Sequence, residues 1–186
     1  MICLGCGRLG ADLCRVCKQG LVEAPDRLLD SGLVVRSCFE HAGPARAIIH
    51  AYKYRGSDRA GWLLARAAAG LVSNADLLVP LPRVTWRTIG YGLDPADDFA
   101  RRLSALTSTP VWRGLRPPFR KPAQAGRSRV EREPPNFTLA GELPRKNVIL
   151  VDDVITTGRT IATAHLLLMA NGGCIVSAVT ATAAKD

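Results

Sequence analysis

Apolar positions along the chain change period several times, and each change marks a predicted element. Leu33-Val34-Val35-Arg36-Ser37-Cys38-Phe39 is a short, largely apolar, β-branched run and predicts a strand. Pro44 opens a helix over Ala45 to Tyr54, which Gly56 and Ser57 end. Asp58 to Leu71, rich in Ala and Leu, predicts a second helix, closed by Ser73-Asn74 ahead of the apolar strand Leu77 to Leu81. Asp94 can cap a helix that carries Pro95 in its first turn and runs to about Leu106; Pro110 to Trp112 follows as a short strand. From Gly114 to Pro144 the pattern dissolves into prolines and basic or polar residues. That stretch predicts a long flexible loop with one short helix around Ser128 to Arg132.

Order returns at Asn147 to Val151, a β-branched run whose far end is Asp152-Asp153. A helix from about Arg159 to Ala170, stopped by Asn171-Gly172-Gly173, leads to the strand Cys174 to Thr180. Strand, helix and strand make one βαβ unit, so the expected fold class is α/β: a Rossmann-like parallel sheet with helices on both faces. Ligands in such sheets sit outside the carboxyl ends of the strands. Residues 1 to about 30 behave differently, being rich in Gly, Cys and charge without apolar periodicity. The chain therefore divides into a small module over 1–32 and a full-sized domain over 33–186.

Composition narrows the function classes. An apolar fraction of 47% and a charged fraction of 22% are ordinary for a globular protein, and no apolar run approaches the ~20 residues of a membrane span. Met1-Ile2-Cys3-Leu4-Gly5-Cys6 lacks the basic and then apolar segments of a secretory signal, so a cytoplasmic location is expected. A net charge of +9 favours an anionic contact such as a phosphorylated small molecule, a nucleic acid or an acidic partner. The basic residues form no single stripe that would announce a nucleic-acid groove.

Four of the six cysteines, Cys3, Cys6, Cys14 and Cys17, form two Cys-x-x-Cys pairs near the N-terminus. Four thiolates in a segment without its own core suit a closed structural Zn²⁺ site; an iron-sulfur cluster or a redox dithiol is the alternative. Cys38 and Cys174 stand alone and read as small buried hydrophobes. His41, His50 and His165 have no pairing spacing, and Trp62, Trp86 and Trp112 are too dispersed to form a stacking platform. Tyr52 and Tyr54, on either side of Lys53, mark a surface patch or the end of an amphipathic helix.

The candidate chemistry lies at Asp152 to Thr160. Two carboxylates ending a buried strand can accept hydrogen bonds from a vicinal diol, directly or through a metal-bound water. Thr156-Thr157-Gly158-Arg159-Thr160 leads into a helix whose first amides have no intrahelical partner and whose dipole favours an anion. Diol readers beside a phosphate cradle describe a sugar phosphate. The plainer alternative is a strand that ends in two acids and a threonine that caps a helix. No Gly-x-x-x-x-Gly-Lys pattern is present, and the Gly-x-Gly-x-x-Gly spacing occurs only among the cysteines at Gly5 to Gly10, outside any predicted strand-turn-helix unit, which disfavours nucleoside triphosphates and dinucleotides.

Val148-Ile149-Leu150-Val151-Asp152-Asp153-Val154-Ile155-Thr156-Thr157-Gly158-Arg159-Thr160 resembles the motif by which type I phosphoribosyltransferases bind 5-phosphoribosyl 1-diphosphate (PRPP). Tyr52-Lys53-Tyr54-Arg55-Gly56, Val79-Pro80-Leu81-Pro82 and Gln124-Ala125-Gly126 with Glu131-Arg132 resemble the ComF family of competence-associated proteins. The resemblance spans nearly the whole chain and implies a type I phosphoribosyltransferase fold with an N-terminal zinc ribbon. It implies that Asp152 and Asp153 hold the ribose hydroxyls and Mg²⁺, as the catalytic acids, with Thr156, Thr157, Gly158, Arg159 and Thr160 around the 5′-phosphate. It implies further that the turn at Pro82 and Arg83 lies near the diphosphate, and that residues 114–144 form a mobile flap carrying Arg120, Lys121, Arg127 and Arg129. The expected ligand is PRPP or a nucleoside monophosphate. The expected activity is phosphoribosyl transfer to a nitrogenous acceptor with release of diphosphate. The alternative is a non-catalytic PRPP- or nucleotide-responsive protein that contacts single-stranded DNA or a DNA-processing partner. The chain departs from the family at Tyr91-Gly92-Leu93-Asp94-Pro95, where Arg-Gly-Phe-Asn-Gln is usual, and at Pro134-Pro135-Asn136, which replaces a more basic segment.

Overall fold

A computed structural model of the chain describes residues 1–82, 94–117, 137–144 and 146–185. The helix expected around Ser128 to Arg132 lies outside them. Helices are α1 (Arg15–Gln19), α2 (Gly43–Arg55), α3 (Asp58–Ala68, continued by a 3-10 turn over Ala69–Leu71), α4 (Pro95–Thr107) and α5 (Arg159–Ala170). Strands are β1 (Arg27–Leu28), β2 (Val34–Glu40), β3 (Leu77–Pro80), β4 (Leu115–Arg116), β5 (Thr138–Leu139), β6 (Asn147–Ile155) and β7 (Cys174–Ala183).

The main sheet has the order β1-β2-β7-β6-β3, parallel throughout except for the antiparallel edge strand β1. Its strands alternate between two cores, as a sheet covered on both faces requires. Ile149 and Val151 of β6 join Leu78, Val179 and Ala181 against α2, α3 and α4, where Ile48, Tyr52, Leu64, Phe99 and Leu103 are buried. Val148 and Leu150 face the other way, with Val79 and Ala178, onto Ile161 and Leu168 of α5 and onto Leu29, Leu115 and Phe137. The α/β class with helices on both faces, expected from the apolar pattern, is therefore what the chain forms.

Local chemistry explains the helix ends. Pro44 occupies the first turn of α2, and Gly56, at φ 58°, ends it in the left-handed conformation that glycine adopts without penalty. Ser57 caps α3 by accepting from the Ala60 amide, and Asp94 caps α4 by accepting from the amides of Ala96 and Asp97.

Three expectations need correction. Strand β6 does not stop at Val151 but runs through both aspartates to Ile155, because β7 pairs with it as far as Ala183. The strand expected at Pro110 to Trp112 is a single parallel bridge between Val111 and Leu78. Within the stretch read as loop, β4 and β5 pair antiparallel and bury Leu115 and Phe137, tying together the two ends of that excursion.

Candidate functional site

The position of the site follows from the order of connections. Helix α4, which follows β3, packs on one face of the sheet, and α5, which follows β6, packs on the other. The neighbouring strands β3 and β6 therefore send the chain in opposite directions, the arrangement at whose carboxyl ends open α/β sheets take their ligands. Leu81 donates its amide to the Val151 carbonyl at 2.9 Å. Continuing that register brings Leu81 and Pro82 alongside the two aspartates. Arg83, the flap cations Arg120, Lys121, Arg127 and Arg129, and Trp86 lie outside the described residues.

Adjacent residues of a strand point to opposite faces, and the aspartates obey this. Asp153 follows Ile149 and Val151 toward α2, is only 3% exposed, and places Oδ2 2.7 Å from Lys53 Nζ. Asp152 is half-buried and accepts the Asp153 amide on Oδ1 at 2.8 Å. Its carboxyl is held well above the usual 3.8, first by burial and then by the neighbouring Asp153 charge, with Lys53 pulling the other way. The acid pair is thus divided between a carboxylate committed to an ammonium and one that reaches solvent.

Beyond β6 the chain bends through Thr156 and Thr157 into α5. Gly158 is the N-cap residue, with φ 73°, and has no side chain with which to cap the helix itself. Thr157 and Arg159 are exposed, Thr156 and Thr160 half-buried. Glycine is favoured at 158 chiefly by the left-handed backbone; a Cβ there would also lie 2.5 Å from Leu29 Cδ2, the end of a side chain that can turn aside. Arg27 of β1 supports the same bend, its Nη1 donating to the Thr156 carbonyl at 2.5 Å and its Nη2 to the Ala184 carbonyl at 2.7 Å.

Sequence reasoning missed Arg27 as a support and Lys53 as a partner of Asp153. Both act across more than 95 positions, and spacing carries no signal over that range. Tyr52, read as part of a surface patch or helix end, is 1% exposed. Its hydroxyl lies 2.7 Å from the Pro95 carbonyl and 2.9 Å from Asp98 Oδ2, and burial followed by the Asp98 charge raises its pKa. Arg102 closes this network, with Nε 2.7 Å from Asp98 Oδ2, Nη1 2.9 Å from Asp58 Oδ1, and the guanidinium 5.1 Å over the Trp62 ring.

The N-terminal cysteines meet as their spacing implies. The Sγ atoms of Cys3, Cys6, Cys14 and Cys17 all lie within 4.8 Å of one another. Tetrahedral zinc with Zn–S bonds of about 2.3 Å requires sulfur separations of about 3.8 Å, and Cys6 and Cys14 stand 3.8 Å apart. The Cys14 amide donates to Cys3 Sγ at 3.3 Å, and this bond and the backbone donor at Cys6 pull the Cys3 thiol down to about 6. Cys17, its charge disfavoured by burial, is pushed up to about 12. A Cβ at Gly5 would fall 2.7 Å from Cys17 Sγ, so the knuckle closes only over glycine. These four residues could hold a metal ion such as zinc. Cys38 is buried as expected, whereas Cys174 is exposed.

No family model matches the chain, and no curated protein matches it. Among the described residues no helix is long and apolar enough to cross a membrane. The chain is similar to a purine phosphoribosyltransferase from Pyrococcus horikoshii, with 22% identity, TM-score 0.41, and 66% of this chain against 69% of that one. It is similar to an orotate phosphoribosyltransferase from Aeropyrum pernix, with 21% identity, TM-score 0.42, and 88% of this chain against 75% of that one. It is also similar to the UMP synthase of Leishmania donovani, with 18% identity, TM-score 0.44, and 88% of this chain against 29% of that one.

Proposed function

We propose that this chain is a ComF-like type I phosphoribosyltransferase that binds PRPP in the crevice between β3 and β6 and transfers the phosphoribosyl group to a nitrogenous acceptor, releasing diphosphate. One observation carries the reading: a half-buried carboxylate at Asp152 stands one bend before the N-terminus of α5, where Gly158 is the N-cap and opens the backbone. A diol acceptor and an anion cradle at that spacing match a ribose 5-phosphate. Thr156, Thr157, Gly158, Arg159 and Thr160 would surround the phosphate. Asp152 would take the ribose hydroxyls and Mg²⁺, whose preference for hard oxygen donors it meets. Mg²⁺ supplies charge neutralisation of the departing diphosphate, and Arg83 with the flap cations would add to it.

In this reading residues 1–32 are a zinc-ribbon module that also lends β1 to the sheet, and residues 33–186 are the transferase domain. The flap is rooted on the β4–β5 pair. A second reading, binding without turnover in a nucleotide-responsive role linked to DNA uptake, is supported by the departure at Tyr91-Gly92-Leu93-Asp94-Pro95, which loses a basic residue and an amide that family members carry.

Titrating the protein with PRPP and Mg²⁺ by calorimetry, and screening bases and amines for PRPP-dependent diphosphate formation, tests both readings. Binding with turnover establishes the transferase, and binding without turnover for any acceptor favours the second reading. Failure to bind PRPP rejects both.

A further inference from the structure

A groove of about 580 Å³ runs between the cysteine knuckle and α2, and no residue of Asp152 to Thr160 lines it. One wall is the backbone of Cys3 to Gly7, packed against the start of the helix: a Cβ at Gly5 would lie 3.2 Å from Pro44 Cβ. Arg59 of α3 braces the same wall, pairing with Asp12 and donating to the Ile2 carbonyl at 3.1 Å. Ile2, Leu4, Ala47 and Ala51 make the lining apolar, and Ile2 is left 54% exposed. Arg46 and Arg55 line the groove from α2. Both are exposed, neither makes an ion pair or hydrogen bond with a described residue, and no described acid lines the groove. A solitary surface arginine carries no information on a chain of net charge +9. Two unpaired guanidiniums flanking an apolar lining have the anatomy of a docking site, with an apolar centre and a charged rim.

We propose that this groove docks a short, extended acidic peptide of a partner protein, whose carboxylates pair with Arg46 and Arg55 while an aliphatic side chain between them lies against the apolar lining. Arginine suits this role, since its planar fork meets a carboxylate with two parallel hydrogen bonds. Arg46 and Arg55 fall on opposite edges of the exposed helix face, about 14 Å apart along its axis. Four residues of extended peptide at about 3.3 Å each cover that distance. The fitting pattern is therefore two acids four positions apart with Leu, Ile or Val midway, all three on the same side of the extended chain. Nucleic acid fits less well, because none of the lining residues is Phe, Tyr or Trp and unstacked bases would find no aromatic platform.

The test uses the full chain and the fluorescence anisotropy of a labelled Ser-Glu-Ser-Leu-Ser-Glu-Ser peptide. The same peptide with Gln for both Glu, and a labelled oligothymidine, are the comparison probes. The acidic peptide is expected to bind about tenfold or more tightly than its Gln counterpart, and to weaken as salt is added. Arg46→Gln combined with Arg55→Gln should erase that preference. Ala47→Glu, which supplies the groove with a carboxylate of its own, should abolish binding, whereas Arg66→Gln, at an exposed arginine outside the groove, should leave it unchanged. A wild type that does not distinguish the two peptides overturns the proposal. An equal loss in Arg66→Gln means diffuse charge attraction and overturns it too. Oligothymidine bound more tightly than the acidic peptide, and released by the same two arginine substitutions, reassigns the groove to nucleic acid and again overturns it. Should the double arginine variant fail to fold, Ala47→Glu decides: retained binding of the acidic peptide places that peptide elsewhere.

Discussion

A methyl group at position 158 would sit on a backbone conformation that L residues rarely adopt. Gly158→Ala forces an L side chain into positive φ and against Leu29, and strain of this kind costs about 1 to 3 kcal/mol. Urea denaturation should show that loss. Cys38 offers a pH prediction. Burial pushes its thiol up to about 12 from 9.0, so on raising the pH the unfolded chain gives up this proton first. The contribution is absent below pH 9.0 and destabilises progressively from there toward pH 12. Stability measured across that window should decline less steeply in Cys38→Ala, and at neutral pH iodoacetamide should label the exposed Cys174 and spare Cys38 in the folded protein. At this scale the sequence announced the residue types of the candidate site but not which way each of them points. Asp152 and Asp153 read as one diol clamp because they are neighbours in the chain, yet strand geometry sends them apart, and the residue that receives Asp153 lies on a helix with no sequence link to it.

Elements were more legible than contacts. Helices α2, α3, α4 and α5 begin within two residues of their expected starts, because Pro44, Ser57, Asp94 and Gly158 are local signals that act on the adjacent backbone. Strand ends were less so. Asp is a poor strand former, and pairing with β7 carries β6 on to Ile155. The two-residue strands β1, β4 and β5 have no periodicity to display. Yet β1 supplies Arg27, which joins the bend after β6 to the chain after β7. Arg27→Met removes both of these bonds and should cost roughly 1 to 3 kcal/mol. Amide exchange over Thr156 to Thr160 should accelerate more than in α3, and affinity for inorganic phosphate should fall. Unchanged exchange in that bend would mean the bend holds its shape unaided.

The whole molecule joins its cysteine module to its body through one core. Cys3, Leu13 and Cys17 belong to the same buried cluster as Ile48, Tyr52 and Phe99, and Arg59 pairs with Asp12 and donates to the Ile2 carbonyl at 3.1 Å. The full chain should carry roughly one equivalent of zinc, lost when Cys6→Ser and Cys14→Ser are combined. Because the clusters are continuous, chelation should lower the melting temperature of the entire chain in one transition instead of releasing an independent N-terminal unfolding step. Calorimetry with and without chelator distinguishes the two. Strand β7 has a consequence of its own. It comes last among the strands in chain order yet lies between β2 and β6, so on the ribosome the first half of the sheet and the β6 strand must wait, with open edges, until residues 174–183 emerge. A nascent chain arrested short of that segment presents two unfilled strand edges, and a holding chaperone should retain it until translation resumes.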